Sequence, residues 1–313
     1  MTVVPPTPSG DDVLKVAQAK NFDDLNDVLR DTPYDRHLRF FNFGYRVLGD
    51  QPTVGPKLGR AFPNQDSAQL LFQLLDGHDL ADRDVVEIGC GRGGNLWLVS
   101  TYFKPRTVTG VDIAPRSIEF CRQVVSGPNA RFEVGDAEDV PLEDAAADVV
   151  LSVETSCTYP DVEAFFREVW RLLRPGGVFL YTDFLKADLV EPYIEGLGAL
   201  GFELLDRRDI SEHVKASRAE RAARQRLAYG DRPSGDESTM GEFVGDSGSQ
   251  LGEALVDGTA VYPMMRFRKP AGAGEPPAGR VLTPEVQAAV REQAAWTVEV
   301  LSIPSTSGEP EPG

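Results

Sequence analysis

The chain is poor in cysteine, histidine and positive charge, and each shortage excludes something. Three cysteines, Cys90, Cys121 and Cys157, occur in 313 residues. Their spacing fits neither a disulfide framework nor a metal motif, which favours a reducing, cytoplasmic setting with no metal. Lys and Arg number 32 against 49 Asp and Glu, a formal net charge of −17. So acidic a surface repels phosphate backbones, and nucleic acid is not an expected partner. No apolar run approaches the ~20 residues of a membrane span. The opening MTVVPPTPSGDD has neither the basic nor the apolar region of a signal peptide. Only His37, His78 and His213 are available for imidazole proton transfer. No internal repeat is present.

What is there is a βα rhythm. VVEIGC reads as a buried strand, followed by a glycine turn and the helix NLWLVSTYF. VTGVDI, ARFEVGDA, ADVVLSVE, GVFLYTDF and FELLDRRDI follow as strands, with helical PRSIEFCRQVV, DVEAFFREVWRLL and EPYIEGLGALG among them. Alternation of this kind predicts an α/β fold, a parallel sheet doubly wound by helices. RPGG reads as a helix stop. GTAVYPMMRFRKP reads as a last strand. The expected organisation is a disordered 1–12, a helical lid over 13–60, a core over 61–270 with a substrate-side insertion at 211–255, and a linker, helix and disordered tail over 271–313. The final helix carries apolar residues at helical spacing, which either pack on the domain or join a homodimer.

Gly89-Cys90-Gly91-Arg92-Gly93-Gly94 satisfies G-x-G-x-x-G, with Asp112 21 positions after Gly91. Glycines here let backbone N–H groups approach a ligand at a helix N-terminus. The neighbours choose the ligand. Glu87 ends the first strand, where a carboxylate repels the pyrophosphate of a dinucleotide. The same carboxylate attracts S-adenosylmethionine, which carries an ammonium and a sulfonium and no phosphate. Asp112 ends the second strand, placed for ribose hydroxyls, with Ile113 beside it for the adenine face. Asp136, in GDAEDVP, suits an adenine amino group or a helix N-cap, with Ala137 offering backbone.

E-x-G-C-G-x-G-G, V-D-I, G-D-A-E-x-V-P, a fourth strand ending in Glu154, and L-R-P-G-G together resemble a class I S-adenosylmethionine-dependent methyltransferase over roughly residues 60–270. FNFGY, VTGVDIAPRSIEFCR and YPDVEAFFREVWRLLRPGGVFLYTDF resemble, more narrowly, bacterial small-molecule methyltransferases of lipid and polyketide pathways: the phthiotriolone-dimycocerosate and fatty-acid O-methyltransferases. The resemblance implies a Rossmann-like seven-stranded sheet with its last strand antiparallel. It also implies S-adenosylmethionine as cofactor and a small-molecule acceptor, with Glu154 contacting the cofactor or the substrate entrance and Tyr45 capping the cofactor.

An alcohol acceptor must lose a proton, which calls for a base. Relatives often read E-S-S-H-C-Y-P after the fourth strand, with histidine facing the methyl group; here Cys157 stands at that position. It is either a thiolate base with a depressed pKa or an inert space-filler. His213, after the sixth strand, ranks first among the histidines and His37, in the lid, second. Asp183 could orient a base or bind substrate. Tyr34, Phe40, Phe41, Phe43 and Tyr45 form an aromatic cluster, in which the phenylalanines read as lid packing. The expected activity is methyl transfer to a hydroxyl of a polyketide, lipid or peptide natural product. C- or N-methylation, or a cofactor-retaining cyclase or binding protein on the same fold, are the alternatives.

Overall fold

The computed structural model describes residues 9–30, 35–59, 62, 64–125, 127–229 and 249–302. Five strands pair in parallel: β1 (Asp84–Ile88), β2 (Thr107–Asp112), β3 (Ala130–Val134), β4 (Ala147–Val153) and β5 (Leu173–Thr182). After the short β6 (Leu185–Lys186) come β7 (Glu203–Asp209), β8 (Ala260–Val261) and β9 (Pro263–Arg268). The main sheet runs β3-β2-β1-β4-β5-β9-β7. Only β9 is antiparallel to its neighbours, and it lies between β5 and β7. The expected seven-stranded sheet with an antiparallel last strand is therefore present.

Alternation along each strand builds the two faces. Val85, Val108, Val149, Leu151 and Leu180 enter one apolar cluster, and Val86, Val111, Val150, Phe179 and Tyr181 the other. Strands buried on both faces are continuous apolar runs, as in a sheet covered by helices on each side. The helices are α1 (Gly10–Arg30), α2 (Gln65–Leu75), α3 (Gly94–Tyr102), α4 (Pro115–Val124), α5 (Val162–Leu172), α6 (Val190–Ala199), α7 (Ser211–Tyr229), α8 (Gln250–Asp257) and α9 (Pro284–Val300).

Four local readings change. First, α1 begins at Gly10, so residues 10–12 are helix rather than disordered coil. The Asp12 N–H donates to Ser9 Oγ, and the Ser9 N–H donates back to the Asp12 carboxylate. This reciprocal cap satisfies backbone donors that a helix start leaves open. Second, the lid is less helical than expected: beyond Arg30 the described residues 35–59 hold only the turn Asp35–His37. Third, α5 stops at Leu172 just ahead of RPGG as expected, but RPGG already belongs to the strand. It bulges within β5, where Ala147 pairs with Leu173 but Val149 with Val178. Fourth, the late apolar segment splits at Tyr262. Ala260–Val261 pairs with β6, and Pro263, lacking a ladder donor, opens β9. Of the presumed insertion, residues 230–248 lie outside the described residues, as do 1–8, Tyr34 and 303–313.

The last helix packs on its own chain. Val290, Ala294 and Val298 are buried, and the Trp296 ring lies 6.0 Å from Phe184. Asn21 of α1 donates to the Val298 carbonyl at 2.8 Å. Buried Glu163 of α5 accepts from the Val281 and Leu282 N–H groups ahead of α9. The stripe offered as a dimer seam is thus covered from within.

Candidate functional site

A cavity enclosing about 810 Å³ of space, its open mouth included, lies at the carboxyl ends of β1, β2, β3 and β4, where ligands bind in open α/β sheets. Glu87, Gly89, Cys90, Gly91, Asp112, Ile113, Asp136, Ala137 and Glu154 all line it. These nine are spread over 68 residues of chain and come together because β3, β2, β1 and β4 are successive neighbours in the sheet.

The glycine turn is held by the strand beside it. The N–H groups of Gly89 and Cys90 both donate to the Val111 carbonyl. The Gly91 N–H donates to Asp112 Oδ2 at 2.8 Å, while Asp112 Oδ1 accepts from the Ala114 N–H at 2.9 Å. Gly89 has φ 71°, and a Cβ there would lie 2.1 Å from Thr155 Oγ1. Its lack of a side chain lets the turn sit against the end of β4. Gly91 has φ 50° and would meet only Phe41, at 3.6 Å.

Glu87 is 1% exposed. Its Oε1 accepts from Asn95 Nδ2 at 2.7 Å, whereas Oε2 is buried without a partner. Burial pushes its pKa up to about 8 and that of Asp112 up to about 6. An unpaired buried acceptor is costly, and a cationic ligand removes the cost.

Glu154 follows β4 in the left-handed region, at φ 51°. Its Oε1 accepts from the Phe43 N–H at 2.6 Å and from the Tyr262 hydroxyl. Burial pushes it up to about 8. The Asp136 carboxylate accepts from Lys15 Nζ at 2.7 Å and from the Glu138 N–H at 2.9 Å. Lys15 also pairs with Glu138.

The other candidates lie elsewhere. Tyr45 does not line the cavity; its ring stacks on His213, with centroids 4.1 Å apart. His213 Nδ1 donates to the Arg46 carbonyl at 2.8 Å, leaving Nε2 to accept from the Tyr45 hydroxyl at 3.2 Å. Both ring nitrogens are thereby engaged in fastening the lid to α7. Asp183 is fully buried, and its carboxylate accepts from the N–H groups of Thr155, Ser156, Cys157 and Phe184 and from Ser156 Oγ. It holds the turn after β4 rather than facing the cavity. Burial and the Asp183 carboxylate drive the Cys157 thiol well above its usual range, opposite to the depression a thiolate base needs. The side chain of His37 lies outside the described residues.

The structure adds residues that the sequence reading passed over. Asn95, the partner of Glu87, sits eight positions on in the first turn of α3, close enough in sequence to have been noticed. Lys15, Gln18 and Phe22 roof the cavity from α1, and no local pattern indicates that. Arg92, buried inside the glycine turn, donates to Asn26 Oδ1 and the Asp35 carbonyl and lies 3.5 Å from the centre of the Phe120 ring. It ties the turn to the lid.

The sheet order, the glycine turn and the acidic strand ends define a class I S-adenosylmethionine-dependent methyltransferase. The residues fit that cofactor, since the orphaned Glu87 Oε2 is an acceptor waiting for a cation. Residues 86–181 match the methyltransferase domain family. The chain is 32% identical over 231 residues to the phthiotriol/phenolphthiotriol dimycocerosates methyltransferase of Mycobacterium tuberculosis, covering 74% of this chain and 85% of that one. It is 35% identical over 181 residues to the fatty-acid O-methyltransferase of Mycolicibacterium smegmatis, covering 58% and 65%. The [4+2]-cyclase SpnF has a similar fold, with TM-score 0.59 at 21% identity over 86% of this chain and 99% of that one. The chain belongs to the S-adenosylmethionine-dependent methyltransferase family that the mycobacterial enzymes represent.

Proposed function

We propose that the protein transfers the methyl group of S-adenosylmethionine to a hydroxyl of a lipid or polyketide-like small molecule, in secondary metabolism. The observation that carries the cofactor half of this reading is Glu87 Oε2, buried and unpartnered in the cavity. In this reading Glu87 meets the ammonium and Asp112 the ribose hydroxyls. Ile113 lies on the adenine face, Asp136 and Ala137 take the adenine edge, and Gly89, Cys90 and Gly91 supply backbone. The cofactor brings an activated methyl group on a good leaving group. The chain's own work is alignment and exclusion of water. Phe22 and Phe41 in the roof serve the second purpose, and Arg92 couples roof to turn.

A hydroxyl acceptor is supported by the relative named for a triol, and methylation at oxygen by the one named a fatty-acid O-methyltransferase. The structural likeness to a cyclase speaks only for the fold, because one fold hosts many chemistries. The test is incubation with methyl-labelled cofactor and lipid extracts, followed by mass analysis. Label in a methyl ether supports the reading, and label only in a methyl ester moves the acceptor from a hydroxyl to a carboxylate. Label on carbon or nitrogen redirects it to C- or N-methylation. Tight cofactor binding with no label in any product points to a cofactor-retaining protein.

A further inference from the structure

Glu154 has features that a cofactor contact alone does not require. A non-glycine residue at φ 51° sits in a strained left-handed backbone, and such outliers gather at functional sites. The αL turn lets the Glu154 N–H reach the Thr182 carbonyl at 2.9 Å while the side chain lines the cavity. Two elements far apart in sequence grip the same oxygen: the Phe43 N–H from the lid and the Tyr262 hydroxyl from the link between β8 and β9. Among the described residues Oε2 has no hydrogen-bond partner. Glu87 and Asp112 already provide two carboxylates for the cofactor on β1 and β2. Glu154 sits on the other flank, against the lid and β9.

Resting on the hydroxyl reading above, we propose that Glu154 is the proton acceptor for the methyl acceptor's hydroxyl, held in place by Tyr262 and the Phe43 N–H. The acceptor's O–H bond breaks, with its proton passing to Glu154 Oε2. The oxygen lone pair then forms the O–CH3 bond as the S–CH3 bond breaks. The sulfonium becomes the neutral thioether of S-adenosylhomocysteine, and Glu154 later releases the proton to water. Asp183 beyond β5 disfavours the ionised form and Arg221 of α7 favours it, while burial dominates. A carboxyl titrating near the working pH is suited to general-base catalysis.

The test compares wild type with Glu154→Gln, whose amide oxygen still accepts from Phe43 and Tyr262. The probes are cetyl alcohol and palmitate, which differ only in the head group. On cetyl alcohol kcat should fall about 100-fold or more, with the KM for S-adenosylmethionine within about threefold. On palmitate, already ionised, the loss should be far smaller. Equal activity of the variant and wild type on the alcohol, or equal losses on both probes, overturns the proposal. So does a weakened cofactor KM with kcat kept, which returns Glu154 to a cofactor contact. Wild-type methylation of palmitate alone refutes the hydroxyl reading itself, a separate failure. An acceptor-free measurement supports it independently: infrared difference spectra between wild type and Glu154→Gln should show a protonated carboxyl that ionises as pH rises past about 8. A carboxyl that stays protonated across the pH range in which the enzyme turns over overturns it.

Discussion

Binding of S-adenosylmethionine should release a proton, and Glu87 is the reason. In the free protein burial holds this carboxyl at about 8, so at neutral pH it is mostly protonated. Beside the ligand's ammonium, ionisation is favoured and the pKa falls back. Free energy linkage then makes affinity rise with pH up to the free-state pKa and level off above it. If the bound-state value returns to the ordinary carboxylate range, affinity should rise about 50-fold between about pH 6 and about pH 8, with about 0.9 protons released per ligand at pH 7. Calorimetry in buffers of different ionisation enthalpy reads that number directly. Glu87→Gln removes the titrating group and is the reference, because the ligand's own amino group titrates near the top of the range. Asp112, at about 6, contributes only to the acid end. Zero proton release by wild type, or the same pH dependence in the glutamine variant, would refute the reasoning. The sign for stability is opposite. Without ligand, the raised pKa contributes stability below the ordinary glutamate pKa that is lost as pH rises through about 8.

Other substitutions separate packing from chemistry. Gly89→Ala should lower stability by at least about 2 kcal/mol, because its Cβ would meet Thr155 at 2.1 Å in a left-handed backbone; an unchanged melting temperature contradicts that geometry. His213→Ala should lower stability by about 1–2 kcal/mol through loss of the Tyr45 stack and its hydrogen bonds. Its kcat should change less than about tenfold, and a hundredfold loss would restore His213 as the base. Cys157→Ala should leave kcat within about threefold, since a buried neutral thiol moves no proton; steady-state assays decide.

The glycine turn, the acidic strand ends and the helix caps are short-range features. A turn after a buried strand needs residues that tolerate positive φ, and a carboxylate at a strand's carboxyl end reaches the crevice in any doubly wound sheet. Glu87, Asp112 and Asp136 could therefore be picked from the chain alone. The catalytic candidates His213, Cys157 and Asp183 had little beyond their position near a strand end to recommend them. Which way such a side chain turns depends on partners such as Tyr45, Arg46 and the 155–157 backbone, and local sequence does not name them.

The amino-acid order by itself determined the alternating architecture, the turn that accepts a ligand and the charge that favours a cation, because all three arise from periodicity and near neighbours. Only the tertiary structure decided that α1 roofs the cavity and that α9 closes on its own chain. It also decided that Glu154 is gripped by Tyr262, 108 residues away. Such contacts join segments whose separation in sequence carries no signal, and they form only once the sheet has brought its edges and its lid together.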